Sequence, residues 1–146
     1  FISKFNQQSG KRFSLPTEAQ WEYAARSGGE DQEYAGGNDV EQFAWYESNS
    51  GDTTHAVGTK ASNELGIYDM SGNVWEWCED VYDENAYEKH ERNNPLITSG
   101  STYRVIRGGS WIFNPRYVRA AFRVRFTADY RFINLGFRLC LSQVRQ

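Results

Sequence analysis

The stretch WIFNPRYVRAAFRVRFTADYRFIN, Trp111 to Asn134, sets the tightest limit on what this chain can build. Its large apolar side chains follow neither the alternation of a half-buried strand nor the spacing of a helix face. Arginines and asparagines interrupt them throughout. Such a segment reads as irregular backbone fixed from elsewhere, with many bulky side chains left over. Tyr, Trp, Phe and Arg dominate binding hot spots, but aromatics also fill β-rich cores. The chain as a whole, at 16% aromatic, leaves the same two options open.

The flanking segments are easier to read. FISKFNQQSG, apolar at 1, 2 and 5, predicts a short amphipathic helix ending at Gly10. Next, Thr17 and Gln20 have capping-box spacing, and Glu18 and Glu22 suit the positive end of a helix. Arg26 closes the last turn and Gly28 offers a left-handed cap. Trp21, Ala24 and Ala25 share the face expected to meet a sheet. Residues 28–66 are rich in Gly, Asn, Asp and Ser and predict a long irregular region, which must be functional or tied down by side chains or ions. Residues 73–78, NVWEWC, alternate as a half-buried strand does. Tyr103 to Arg107 reads as a strand, Gly108-Gly109 as a turn or bulge, and Gly136 to Leu141 as a last strand. The fold class is α+β.

A chain of 146 residues fits one domain and can bury a core without staples. Its mean hydropathy of −0.74 and short apolar runs leave no bilayer-spanning stretch. A net charge of −3 argues against a general nucleic-acid binder. The charge is uneven. Glu76, Glu79, Asp80, Asp83, Glu84, Glu88 and Glu91 crowd one segment, while residues 104–138 hold eight arginines and a single acid, Asp129. The two segments are expected to neutralise each other. Cys78 and Cys140 make neither a disulfide framework nor a zinc motif. They read as two buried, inert thiols, or as one bridge in an exported protein. The chain starts at Phe1 without Met or signal peptide, which reads as a piece of a longer protein.

Four pieces occur in order: LPTEAQWEYAAR (15–26), NELGIYDMSGNVWEWC (63–78), RVIRGGSW (104–111) and NLGFRL (134–139). Together they resemble the formylglycine-generating-enzyme, or sulfatase-modifying-factor, family over nearly the whole chain. The resemblance implies a variant of the C-type lectin fold, with short antiparallel strands, two helices and much irregular loop. It makes residues 1–146 the C-terminal part of one such domain, its upstream part absent. It also implies where an oxidase would carry its two catalytic cysteines: between the GGS and GFR motifs. From Gly109 to Gly136 there is no cysteine. No other side chain replaces a thiolate as copper ligand and redox group, so no catalysis is expected. His55 and His90 have no ligand spacing. The resemblance further implies a possible structural calcium on the Asp69 and Glu76 carboxylates and the Gly72 and Val74 carbonyls, a mixed oxygen set of the kind calcium takes. The other reading is that Asp69 caps a turn and Glu76 pairs with an arginine.

The opening stretch also resembles a narrower group, the variable proteins of diversity-generating retroelements, which use this fold as a scaffold. There, adenine-directed mutagenesis of asparagine codons reaches Ile, Phe, Tyr, Val, Asn, Ser, Asp and His but not Lys, Glu, Gln, Met or Trp. None of those last five occurs between Ile112 and Asn134. The implied variable, ligand-binding positions are Ile112, Phe113, Asn114, Tyr117, Val118, Phe122, Val124, Phe126, Tyr130, Phe132, Ile133 and Asn134. The implied constant frame includes Arg107, Gly108, Gly109, Ser110, Trp111, Pro115, Arg119, Arg123, Asp129, Arg131, Leu135, Gly136 and Phe137. Ala120 and Ala128 depart from the group's usual serine and proline. The resemblance implies a monomeric display module with a protein ligand, exported to a bacterial surface in the manner of a lipoprotein, and without nucleic acid or membrane insertion in this segment. No EPN-like or QPD-like sugar motif is present. Exposure discriminates: display requires the aromatics of the variable set at the surface, with Trp75, Trp77, Trp111 and Phe137 buried.

Overall fold

The computed structural model describes residues 1–89 and 92–141; His90, Glu91 of the acidic segment and residues 142–146 lie outside the described residues. Helix α1 (Ile2–Ser9) ends at Gly10 in the left-handed conformation. Helix α2 (Glu18–Ala25) starts with the expected capping box. The Gln20 N–H donates to the Thr17 hydroxyl, and the Thr17 N–H donates to the Gln20 side chain. Two short turns of helix, α3 (Val40–Phe43) and α4 (Ala86–Lys89), add to the two predicted helices.

Strand β1 (Phe13–Ser14) lies near the N-terminus, and β2 (Ala44–Trp45) pairs in parallel with β3 (Ser71–Gly72). The centre is a four-stranded sheet made by β4 (Trp75–Val81), β5 (Tyr103–Arg107), β6 (Arg123–Thr127) and β7 (Leu135–Gly136), in the order β6-β5-β4-β7. β4–β5 and β5–β6 are antiparallel and β4–β7 is parallel. β8 (Cys140–Leu141) leaves this sheet and pairs with β1. The single last strand expected over 136–141 is therefore two short strands serving two sheets.

The sheet's two faces define the molecule. Ile106 stands opposite Val124, and Arg107 opposite Arg123, so each cross-strand pair shares one face. One face packs on α2, where Trp21, Ala25, Cys78 and Val105 are buried together. Burial pushes the Cys78 thiol well above its ordinary pKa, so it is an inert core group. Cys140 is only half-buried, against Ser14 on β1, which corrects the expectation of two buried thiols; both are free.

The alternation in β4 is inverted from the usual polar-out pattern. Glu76, Cys78 and Asp80 point to the α2 side and are buried, while Trp77 is only half-buried. The carboxylates tolerate burial because each is hydrogen-bonded. Trp21 Nε1 donates to Glu76 at 2.7 Å, and the Glu18 and Ile97 backbone N–H groups donate to Asp80.

The long irregular region is held by side chains. Asn73 and His55 exchange side-chain and backbone hydrogen bonds across the loop. The His55 ring stacks on Trp45 with centroids 3.6 Å apart. Asn63 donates to the Ala24 carbonyl and accepts from Leu65 and Ile67.

Candidate ligand-binding face

The stretch 111–134 is more regular than its sequence. A 3-10 turn spans Pro115–Val118, capped by the Asn114 side chain, which accepts from the Arg116 N–H. β6 then pairs with β5 along its whole length. Within β6 the alternation is strict. Arg123 and Arg125 face Tyr82, with guanidinium carbons 4.7 and 4.9 Å from its ring centre, while Val124 and Phe126 face the other way. The aperiodic stretch therefore contains a five-residue strand whose face-alternation is masked because its inward side chains are arginines.

Arg125 stays exposed, but Arg123 and its cross-strand neighbour Arg107 are locked from the α2 side. Arg123 forms a two-pronged pair with Glu18, at 2.7 Å from Nε and 2.5 Å from Nη2. Arg107, fully buried, pairs with Glu22 and approaches Glu18 at 3.4 Å. Its Nη1 also donates to the Phe122 carbonyl, which pins the chain entering β6. Two helix acids thus hold the arginine frame. The acidic segment contributes Glu76, which pairs with Arg138, and the Asp83 carbonyl, which accepts from Arg123. This corrects the expectation of general neutralisation between residues 76–91 and 104–138. Asp129 hydrogen-bonds with Thr127, and the nearby Arg131 adds to holding its carboxyl below the ordinary value.

Gly109 explains why the loop can fold back. It sits at φ 73°, and a Cβ there would lie 2.6 Å from both the Tyr117 carbonyl oxygen and Val118 Cγ1. The glycine lets the 3-10 turn press onto the end of β5. Val118 seals that contact and is fully buried, among Tyr34, Ala44 and Tyr46.

A cavity of about 230 Å³ opens on the outer sheet face. Trp75, Ile106 and Leu135 form its constant floor. Eight of the twelve implied variable residues line it: Ile112, Phe113, Tyr117, Val124, Phe126, Tyr130, Phe132 and Asn134. Phe113 and Phe122 pack on Trp75 with centroids at 5.6 and 6.2 Å, and Tyr117 bridges them at 5.3 and 4.9 Å. On the opposite wall Phe126, Tyr130 and Phe132 form a run of stacked rings, 4.2 and 6.0 Å apart.

The other four positions are placed differently. Phe122 backs the wall, and Ile133 is exposed beyond the cavity. Asn114 is exposed and caps the 3-10 turn. Val118 is core. Asn134 lines the cavity yet is only 4% exposed, because its amide donates to Ser110 and its carbonyl accepts from the Trp75 N–H. Val118 and Asn134 are therefore corrected from surface to framework.

The exposure test divides. None of Phe113, Tyr117, Phe122, Phe126, Tyr130 and Phe132 is buried, and Phe132 is 51% exposed. Of the residues expected inside, Trp75 is buried, Trp77 and Trp111 are half-buried, and Phe137 is 48% exposed beside Phe1. Phe137 emerges where the chain leaves β7 for β8. There it lines a second cavity of about 850 Å³, in which residues from 128–137, Tyr130 and Phe132 among them, meet Phe1, Leu15 and Trp77 from distant parts of the chain.

The two carboxylates of the implied calcium set already have partners. Arg138 donates to both Glu76 carboxylate oxygens, at 2.6 and 2.8 Å, and to the Tyr68 and Asp69 carbonyls at 3.0 and 3.2 Å. The Asp69 carboxylate accepts from the Gly58 N–H at 2.7 Å. A guanidinium supplies positive charge to both Glu76 oxygens, the role a cation would otherwise have there.

A small curled sheet with one helix-packed face and one face framed by long loops is a C-type lectin-like scaffold. The chain belongs to the sulfatase-modifying-factor family: residues 2–143 match the Sulfatase-modifying factor enzyme 1-like domain. It is similar to Treponema denticola variable protein 1, at 39% identity and TM-score 0.78, over 88% of this chain and 47% of that one. It is also similar to PvdO from Pseudomonas aeruginosa, at 27% identity and TM-score 0.82, over 97% and 57%. The formylglycine-generating enzyme of Streptomyces coelicolor is 35% identical over 89% of this chain and 46% of its own length. The chain spans about half the length of such curated relatives.

Proposed function

We propose that this chain is a ligand-binding display scaffold whose site is the aromatic cavity on the outer face of the sheet, and that its ligand is a protein. The observation that carries this is the convergence of eight of twelve implied variable residues, all from the one segment 112–134 and including the framework residue Asn134, on one cavity. Likeness to a variable protein supports the same reading. Adaptable side chains on a fixed frame is the arrangement that antibody paratopes use.

The alternative, oxidase chemistry of the formylglycine-generating type, draws support from family membership. Against it, no cysteine lies between Gly109 and Gly136, the span where the family resemblance would put the catalytic thiols. Export to a bacterial surface and a monomeric state belong to the proposal.

The test is a library. Of the twelve positions, the ten other than Val118 and Asn134 are randomised together within the adenine-reachable set. Most members are expected to fold with melting temperatures near that of the parent, and panning is expected to yield binders to unrelated proteins. General unfolding of the library would sink the display reading. Copper loading with thiol oxidation by the parent chain would favour the oxidase.

A further inference from the structure

The cavity in this particular chain has a definite chemistry. None of the residues that line it is charged. Its volume of about 230 Å³ lies below the roughly 300–1,000 Å³ usual for sites of free small molecules, and suits one large side chain. The Tyr117 and Tyr130 hydroxyls have no hydrogen-bond partner among the described residues, although both rings line the walls. Their donors and acceptors are available to a ligand backbone.

The surroundings are mostly basic, with two exposed acids beside the walls: Asp129 next to Tyr130, and Glu47, whose backbone N–H donates to the Phe113 carbonyl. From Trp111 to Leu135 the chain carries five arginines against one acid, Asp129. Arg123 is neutralised by Glu18. Arg116 and Arg131 are exposed, close in sequence to wall residues Tyr117 and Tyr130, and no carboxylate lies within 4.0 Å of either among the described residues. Arg131 also borders the larger cavity, which shares Tyr130, Phe132 and Leu135 with the smaller one.

Resting on the display reading, we infer that this copy captures a protein segment presenting one aromatic or large aliphatic anchor flanked by acidic residues. The anchor enters between Trp75 and the Phe126–Tyr130–Phe132 stack, and the acids meet Arg116 and Arg131. A desolvated anchor ringed by weaker contacts is how such interfaces concentrate their affinity. The rim charges select the partner and speed association more than they add affinity.

Three capped tripeptides test this on the intact chain by titration of backbone amide NMR signals: acetyl-Asp-Phe-Asp-amide, the same peptide with Ala at the centre, and the same peptide with Lys flanks. The Asp-Phe-Asp peptide is expected to bind about tenfold more tightly than the Ala peptide, as burial of a single anchor implies. It is also expected to bind more tightly than the Lys-flanked peptide at low salt, an advantage that added salt erodes. Shifts should centre on Val124, Phe126 and Tyr130. The charge-reversed variant R131E should narrow or invert the preference for acidic flanks, and R131Q, which keeps a donor for the Ala128 and Tyr130 carbonyls, should weaken it without inverting it. Equal binding of the Ala peptide, preference for the Lys-flanked peptide, or no shift with any of the three overturns the inference. A library that folds and yields binders while all three peptides fail overturns this inference alone; a library that unfolds overturns the display reading beneath it.

Discussion

The two faces of β6 differ in everything except their sequence neighbourhood. On the α2 side, Arg123 is clamped by a buried carboxylate, and the adjacent fully buried Arg107 meets two. On the outer side, Val124 and Phe126 line an open cavity and make no polar contact that fixes them. One face takes its stability from specific, desolvated ion pairs, where either partner alone is costly. The other takes almost none from the identity of its side chains. A strand built this way can change one face without losing its place, because its backbone is held by β5 and its register by arginines.

The largest effect is expected where the ionic face is broken. R107L leaves Glu22 without its main partner and strips Glu18 of one of two. Removing one member of a buried pair costs about 3–5 kcal/mol, to be read by urea denaturation. Next comes Gly109. G109A forces a Cβ into the Tyr117 carbonyl and Val118 at a positive φ, for a cost of about 2–4 kcal/mol. If R107L melts like the parent, the frame does not rest on these pairs and the contrast between faces fails.

The ionic face also predicts a pH dependence. Burial pushes the Glu22 carboxyl up, but Arg107, Arg26 and hydrogen bonds from Arg26 and Tyr87 together hold it below its ordinary value of 4.5. A carboxylate with a depressed folded pKa stabilises the fold above its unfolded pKa and loses that contribution as pH falls through the folded one. Stability should therefore decline as pH drops below about 4.5, and E22Q should flatten that part of the curve. An unchanged acid limb in E22Q would remove Glu22 from the frame. The outer face should respond least. F132S and I133S are expected to move stability by no more than about 0.5 kcal/mol, whereas V118S in the same stretch should cost about 1–3 kcal/mol.

How much of this could be read beforehand follows from the kind of signal each part carries. The α2 cap was legible because Thr17 and Gln20 act over three residues. The strand at 103–107 was legible from local composition. β6 was not, because a strand that alternates arginine with apolar residues shows no simple half-buried pattern, and its buried partner, Glu18, lies 105 residues away. Trp75 is buried as expected, but Trp77 is only half-buried, because their face of the sheet is the one that borders the cavities. The variable set was legible through a family resemblance. That two of its members, Val118 and Asn134, are framework depends on Gly109 and Ser110, contacts that only the folded chain supplies.

The smallest expected effect concerns the segment around Asp69, and it sharpens the comparison by extending it to a third region. Here too an arginine holds a buried acid, since Arg138 spans Glu76 and the Tyr68 and Asp69 carbonyls. If the guanidinium supplies that charge, the chain's melting temperature should be the same in EDTA and in millimolar calcium. The measurement has power. A cation bound only by the folded state and present at about 100 times its dissociation constant would stabilise it by about 2.7 kcal/mol, several degrees of melting for a domain of this size. A shift of that size would mean that calcium displaces Arg138 or finds oxygens beside it. The third region would then be stabilised by a ligand, and α2 with its two glutamates would be left as the place where arginine alone secures the fold.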